Sequence, residues 1–431
     1  MNAAADPLAR GWCPGILRPM ESGDGLLARL HPPHGVLSPE QALAVSEASR
    51  ACGNGVLDIT GHANLQIRGV REATRAELEA RLGRVGLVEP SPRAPFRVTV
   101  ISPIADLVSD GGLDGRALAD TVERAARKVE LPAKFLVAID CDDRFPLDHL
   151  APDIRVRTAA TGHLLIGLAR QNGVVWGAPV SPAAFEETIG ALLERLGRLL
   201  RANNVRRVRL LPHTELEPFV DQGQPGPATR SGHPPRAGLV PLGTARFAAI
   251  AAAPFGQITA DMLAAAADVA QEAGLPELRL APNRGLVLAP LAPEKASTAL
   301  HGLAACGLVN DPADPRLRIV TCPGAPACAS GHAETHDLAA RLARHLPARP
   351  WPASVHLSGC RKGCVRRGAS DLTLVAGETG VDIIPDGGPF DAPVAQADFD
   401  VIVQHLEGAD GAADFAHQIT GGRAPRCATT T

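Results

Sequence analysis

Residues 34–70 read HGVLSPEQALAVSEASRACGNGVLDITGHANLQIRGV, and residues 255–291 read FGQITADMLAAAADVAQEAGLPELRLAPNRGLVLAPL. The two stretches lie on one another without a gap, at a constant offset of 221. Gly35, Ala44, Gly53, Leu57 and Leu65 fall on Gly256, Ala265, Gly274, Leu278 and Leu286. Leu37, Ser38, Glu40 and Glu47 fall on Ile258, Thr259, Asp261 and Asp268, which keep their chemistry. Ser38 and Thr259 stand where a helix needs a capping oxygen, and Gly53 and Gly274 stand where it must stop. Two short apolar runs follow in each copy. The chain is a duplication.

The repeated unit, strand–helix–strand–strand, suits a ferredoxin-like half domain. The match continues downstream: Ser102-Pro103 meets Cys322-Pro323, while Asp153-Ile154 and Thr161-Gly162 meet Asp371-Leu372 and Thr379-Gly380. Apolar strands are expected at 97–101, 134–140, 318–322 and 354–358, with helices near 115–130, 182–202 and 333–346. Pro212–Gly238, rich in Pro, Gly and polar residues, reads as a linker. The expected organisation is α+β, a tandem duplication in which each repeat is a half domain followed by an α/β lobe. Its segments are 10–85, 92–211, the linker 212–238, 239–305 and 312–420.

The two halves differ in one conspicuous way. The second carries Cys322-x5-Cys328 and Cys360-x3-Cys364, opposite Ser102, Val108, Asp140 and Arg144 of the first. Thiolates are preferred ligands of iron–sulfur clusters and of structural zinc. Zinc sites more often space their ligands C-x2-C or C-x4-C, so this pattern favours a [4Fe–4S] cluster. Glycines around each pair let backbone N–H groups approach sulfur, and Arg361, Lys362, Arg366 and Arg367 offset an anionic centre. Cys322, Cys328, His332 and His336 form a rival Cys2His2 zinc set with both histidines on one helical face. That set leaves Cys360 and Cys364 without a role.

Composition narrows the remaining classes. At 431 residues with a net charge of −3, the chain is long enough for several cores and shows no general affinity for nucleic acid or anionic membrane. No run of about twenty apolar residues occurs, and the N-terminus lacks a basic-then-apolar leader, so a cytoplasmic protein with reduced thiols is expected. Cys13, Cys52, Cys141, Cys306 and Cys427 are scattered and read as packed thiols. Only four lysines occur, Lys128, Lys134, Lys295 and Lys362, so a lysine inside a motif says more than an arginine does.

The first repeat has its own speciality in residues 60–69. Strand alternation would place His62, Asn64, Gln66 and Arg68 on one face, against Asn283, Gly285, Val287 and Ala289 in the second copy. Taken alone, such a face is the solvated side of an antiparallel sheet. Beside a redox cluster it becomes a floor for an acidic ligand.

These residues resemble the sulfite and nitrite reductase superfamily over nearly the whole chain. The resemblance implies two repeats, each a ferredoxin-like half domain plus an α/β nitrite/sulfite-reductase-type lobe, with C-x5-C and C-x3-C holding a [4Fe–4S] cluster in the second. Residues 59–69 resemble its tetrapyrrole-contacting strand, and Leu131-Pro132-Ala133-Lys134-Phe135 a segment that brings a basic residue to the active site. Within the superfamily, Arg10-Gly11-Trp12-Cys13-Pro14-Gly15, Gly23 to Leu30, and Thr321-Cys322-Pro323-Gly324 with Cys328-Ala329-Ser330-Gly331 resemble the precorrin-3B synthase family of aerobic cobalamin biosynthesis. That implies oxygen-dependent hydroxylation and γ-lactone formation on precorrin-3A, a tetrapyrrole with carboxylate arms, using dioxygen, an electron-donor protein or reductase, and one additional non-haem iron. Lys134 and Arg68 are the implied catalytic residues. His62, Asn64, Gln66, Arg29 and Arg155 join them as substrate-binding candidates, because guanidinium suits carboxylate. Asp24, His31 and His34 are candidates for the iron.

Two departures bear on the alternative, a sirohaem-dependent sulfite or nitrite reductase. His62 stands where an arginine is usual, making any carboxylate contact pH-dependent. Leu136 stands where the reductases carry a second lysine, which argues against reduction of a bound oxyanion. In the reductases the last cysteine, here Cys364, bridges to sirohaem. Outside enzymes the alternative is a zinc protein or a tetrapyrrole carrier.

Overall fold

The computed structural model describes residues 12–93, 96–107, 113–159, 161–219, 233–346 and 350–421. Cys427, Val108, Arg10, Gly11 and most of the expected linker, 220–232, lie outside them. In the first half, β1 (Met20–Ser22), β2 (Gly25–Leu30), β3 (Val36–Leu37), α1 (Pro39–Cys52), β4 (Val56–Ile59), β5 (Leu65–Val70) and α2 (Arg75–Arg84) come first. A lobe follows: β6 (Thr99–Ile101), α3 (Gly115–Ala126), β7 (Val137–Asp140), β8 (Ile154–Thr158), β9 (Leu164–Arg170), β10 (Gly173–Trp176), α4 (Phe185–Ala202) and the short α5 (His213–Leu216). The second half repeats this with β11 (Gly238–Pro241), β12 (Phe247–Ala252), β13 (Gln257–Thr259), α6 (Ala260–Glu272), β14 (Leu278–Ala281), β15 (Gly285–Leu291) and α7 (Pro293–Ala305). Its lobe has β16 (Ile319–Thr321), α8 (Thr335–His345), β17 (Val355–Ser358), β18 (Ser370–Ala376), β19 (Val381–Gly387), β20 (Ala395–Ala397), α9 (Phe399–Gly408) and α10 (Ala412–Ile419).

The four sheets carry the duplication. The lobe sheets run β10–β9–β8–β7–β6 and β16–β17–β18–β19–β20, and in each the first three strands in sequence are parallel and the last two antiparallel. The half-domain sheets run β1–β2–β5–β4–β13 and β11–β12–β15–β14–β3, so each borrows its outermost short strand from the other repeat. Backbone detail repeats too. His34 and Phe255 both adopt left-handed φ, 54° and 56°, as do Ala63 and Arg284 at 53° and 68°. Such angles are uncommon for residues other than glycine, and their recurrence at equivalent positions marks a shared loop geometry. Asp153 accepts the backbone N–H of Leu136, and its counterpart Asp371 accepts those of Ala353 and Ser354.

The helix caps are those the sequence implies. Ser38 forms a capping box with Gln41, and the Thr259 hydroxyl accepts from Met262 N. Gly53 ends α1 in an extended conformation, where it is needed for space: a Cβ there would stand 2.5 Å from the Arg68 carbonyl oxygen. Gly274, at φ 77°, is the true left-handed stop.

Register corrects one correspondence. β6 lies 220 residues before β16, with Thr99 matching Ile319, whereas β7 lies 218 before β17, with Val137 matching Val355. Ser102 therefore does stand opposite Cys322, but Asp142 and Pro146, not Asp140 and Arg144, stand opposite Cys360 and Cys364. The connection before β7 is two residues longer than its partner, which sequence alignment alone cannot place.

Two compact units result. One contains the half domains and the first lobe; the other contains the second lobe together with residues 21–27 and 253–257. In the first lobe Phe185, Ile189, Leu193 and Leu196 of α4 pack against Val137, Ile139, Ile154 and Val156. In the second, Leu342, Ile402 and Phe415 close over Val355, Leu357, Leu372 and Leu374. A further cluster joins Val287 and Ala289 of β15 to Leu136, Phe145 and Leu147 of the first lobe. Val287 and Ala289 of the second half-domain face are thus covered by protein. Among the described residues, no helix is long and apolar enough to cross a membrane.

Candidate cluster site and polar floor

The four cysteines of the second lobe gather where two loops meet at the ends of β16 and β17. Thr335 Oγ1 donates to the Cys322 carbonyl, His332 N donates to the Gly359 carbonyl at 2.9 Å, and Lys362 Nζ reaches Ser330 Oγ at 2.7 Å. Residues 21–27 close over the first loop: Ser22 Oγ and Gly23 N both donate to the Ala327 carbonyl. A Cβ at Gly23 would stand 2.1 Å from the Pro326 carbonyl oxygen, so that approach requires glycine. Gly324, at φ 65°, is equally constrained, since a Cβ would meet the Ala333 carbonyl oxygen at 2.3 Å.

The sulfurs feel one another. Burial pushes the Cys360 thiol up, the Lys362 N–H opposes this, and Cys322 and Cys328 add to it. Cys364 is exposed as a residue, yet lost hydration at its sulfur and then Cys360, Cys322 and Cys328 push its thiol up as well. Each of these sulfurs thus disfavours the thiolate form of its neighbours. Gly359 N donates to Cys322 Sγ at 3.2 Å, and Lys362 N to the Cys360 sulfur. Such N–H···S contacts suit an iron–sulfur cluster. Among the described residues no three His, Cys, Asp or Glu side chains converge as they would on a single ion. His336, a member of the rival Cys2His2 set, has its Nδ1 at 2.9 Å from Gln257 Oε1.

The polar floor lies in the other unit. β5 is buried on both faces, with Asn64 and Gln66 each 8% exposed and Arg68 2%. It is therefore not the solvated side of a sheet. Arg68 Nη1 pairs with Asp58 Oδ2 on β4 at 3.0 Å. With the Gln66 amide oriented to satisfy its neighbours, its oxygen accepts from Arg29 Nη2 and Nε at 2.7 and 3.0 Å. His62 departs from the expected alternation, because residues 60–64 form the turn between β4 and β5, closed by Thr60 N to the Asn64 carbonyl at 2.9 Å. Its ring, exposed at one side, is nonetheless depleted of water, and the guanidiniums of Arg29, Arg97, Arg207 and Arg284 add to that, so its pKa falls to about 4. It is a neutral donor or acceptor at neutral pH, not a cation.

The profile of the nitrite/sulfite reductase ferredoxin-like half domain matches residues 18–85 and 241–306. A curated precorrin-3B synthase from Sinorhizobium sp is 30% identical over 403 residues, covering 91% of this chain and 86% of that protein. The chain belongs to the precorrin-3B synthase family. More distant relatives of this family member include a sulfite reductase [ferredoxin] of Mycolicibacterium paratuberculosis, 26% identical over 79% of the chain and 68% of that protein. A ferredoxin–nitrite reductase of Synechococcus elongatus is 25% identical over 87% of the chain and 82% of that protein. The solved structure of the Mycobacterium tuberculosis NirA protein superposes with a TM-score of 0.68 at 20% identity, over 92% of this chain and 84% of that one, and shares the fold.

Other candidates in this precorrin-3B synthase family member sort by environment. Lys134 is exposed on a loop held from two sides, by Cys13 Sγ to the Ala133 carbonyl at 3.2 Å and by Arg207 to the Lys134 carbonyl. Leu136 is 6% exposed and belongs to the apolar cluster, a core residue. Arg155 is buried beside Asp140, 3.6 Å away, and donates to the Leu150 carbonyl at 2.9 Å, a lobe-holding role. His34 is committed to Asp120 at 2.8 Å, while Asp24 and His31 fall in different units.

Sequence reading missed Arg97. It donates to the carbonyls of Pro32, His62 and Ala63, clamping the turn that carries His62, and lost hydration lowers its pKa to about 10. In a chain whose default cation is arginine, nothing local singled it out.

Proposed function

We propose that the chain catalyses the oxygen-dependent hydroxylation and γ-lactone closure that convert precorrin-3A to precorrin-3B in aerobic cobalamin biosynthesis. One oxygen atom of dioxygen enters the macrocycle, and the other leaves as water, with two electrons from a donor protein or reductase. The observation that carries the reading is the row of polar side chains on β5 amid guanidiniums, a chemistry suited to a polycarboxylate. Family membership supplies the identity of that polycarboxylate.

In this reading Arg29, Gln66 and Arg68 form a prearranged network that meets carboxylate arms without reorganising. His62, held neutral, hydrogen-bonds an arm. Lys134 supplies a mobile ammonium. Cys322, Cys328, Cys360 and Cys364 hold a [4Fe–4S] cluster, which when bound supplies single electrons to the reaction. An additional non-haem iron belongs to the same reading.

The test is to supply anaerobically purified protein with precorrin-3A and a chemical reductant, then admit isotope-labelled dioxygen. A product heavier by one labelled oxygen atom is expected. Extractable sirohaem, with sulfite- or nitrite-dependent oxidation of the reductant and no change in the tetrapyrrole, would select the reductase alternative instead.

A further inference from the structure

The polar face of the first half-domain sheet is almost fully paired. Arg29 on β2 holds Gln66 on β5, and Arg68 holds Asp58 on β4, where Asp58 faces Gln66 in the ladder. His31, two residues beyond Arg29, directly follows β2, and Asn64, two before Gln66, directly precedes β5; Arg97 donates to the carbonyls of their neighbours Pro32 and Ala63. There the pairing stops. His31 Nδ1 and Asn64 Oδ1 are buried without a hydrogen-bond partner, and Asn64 is only 8% exposed. The backbone of Asn64 is already used by the turn, its N–H donating to Thr60 Oγ1 at 3.1 Å.

A buried polar atom left unpaired costs about 1–3 kcal/mol, and native structures keep few of them. Here two adjoin the floor. The ring of His31 is fixed by Phe96, with centroids 4.7 Å apart. Burial first, then Arg29 and Arg97, holds its pKa well below the usual value, so the imidazole is neutral and carries one N–H. The Asn64 amide can present either its oxygen or its NH2. Two neutral hydrogen-bonding groups within the field of two guanidiniums fit a group that is anionic overall and accepts at two oxygens.

We infer that His31 and Asn64 form a subsite for one carboxylate arm of the ligand, each donating an N–H to one of its oxygens. Arg29 and Arg97 supply the charge and stay bonded to protein. The inference rests on the floor being a ligand site, and it assigns His31 a specificity role, not a metal.

Uroporphyrin, a stable octacarboxylate tetrapyrrole, serves as probe, with its octamethyl ester as control and binding read by porphyrin fluorescence on the intact protein. His31→Leu and Asn64→Leu are each expected to weaken uroporphyrin binding about tenfold to a hundredfold, the worth of one hydrogen bond to a charged group. The double variant should lose less than the product of the two, because both hold the same arm. Asn64→Asp, which fills the same volume, should weaken binding more than Asn64→Leu. Ester binding should not distinguish any of them. If these variants bind like wild type while Arg29→Gln weakens the probe, the subsite is wrong and the floor survives. If Arg29→Gln also changes nothing, the floor reading itself falls.

Discussion

Leu136 and His62 show how far one residue's chemistry depends on what covers it. Leu136 reads in sequence as a missing lysine, and the structure makes it a core residue packed near Phe145 and Leu147. Leu136→Lys should therefore not confer oxyanion reduction; it should lower stability by about 3 kcal/mol, as a urea melt would show, because an ammonium would be buried among apolar groups. His62 and His149 have pKa values of about 4, and His31 lies well below the ordinary 6.5. Between pH 6.5 and 4 the unfolded chain binds protons at these rings that the folded chain does not. Stability is therefore full above 6.5 and should decline on acidification through that window, measured as a falling urea midpoint. His62→Asn should flatten the decline. The cysteine spacing was legible because it is local. The burial of Asn64, Gln66 and Arg68 was not, since alternation reveals a face but not what lies over it. Arg97 was hidden because its three acceptors lie 34 to 65 residues away.

At the scale of elements, the helices and most strands could be placed from caps and periodicity: α1 starts at Ser38 and α6 at Thr259 as their sequences imply. What sequence could not give was register, and the two-residue shift at β7 displaced the counterparts of Cys360 and Cys364. The cysteine loop offers the sharpest test of local geometry. Gly324→Ala faces both a positive φ and a 2.3 Å clash with the Ala333 carbonyl oxygen, so the loop cannot close as it does here. Iron and sulfide content of the anaerobically purified variant should fall well below that of the parent, while the far-ultraviolet dichroism stays close to it. Unchanged iron and sulfide would mean that the loop does not hold the cluster.

For the whole molecule, the duplication was visible as an offset, but the exchange of β3 and β13 was not. Strands of two and three residues carry little pattern, and their partners lie more than two hundred residues away in sequence. Ser46 Oγ donates to the Ala260 carbonyl and Arg50 pairs with Asp261, so α1 and α6 meet across the same exchange. Cutting the chain between residues 220 and 232 should yield fragments that are each unfolded when expressed alone and that recover a cooperative melt when produced together. A first fragment that melts cooperatively alone would refute this. The reciprocal loan of an edge strand also has a historical reading. A gene half this length would have encoded a product complete only when two identical copies embraced, and joining the copies end to end freed one to lose its polar face while the other kept it.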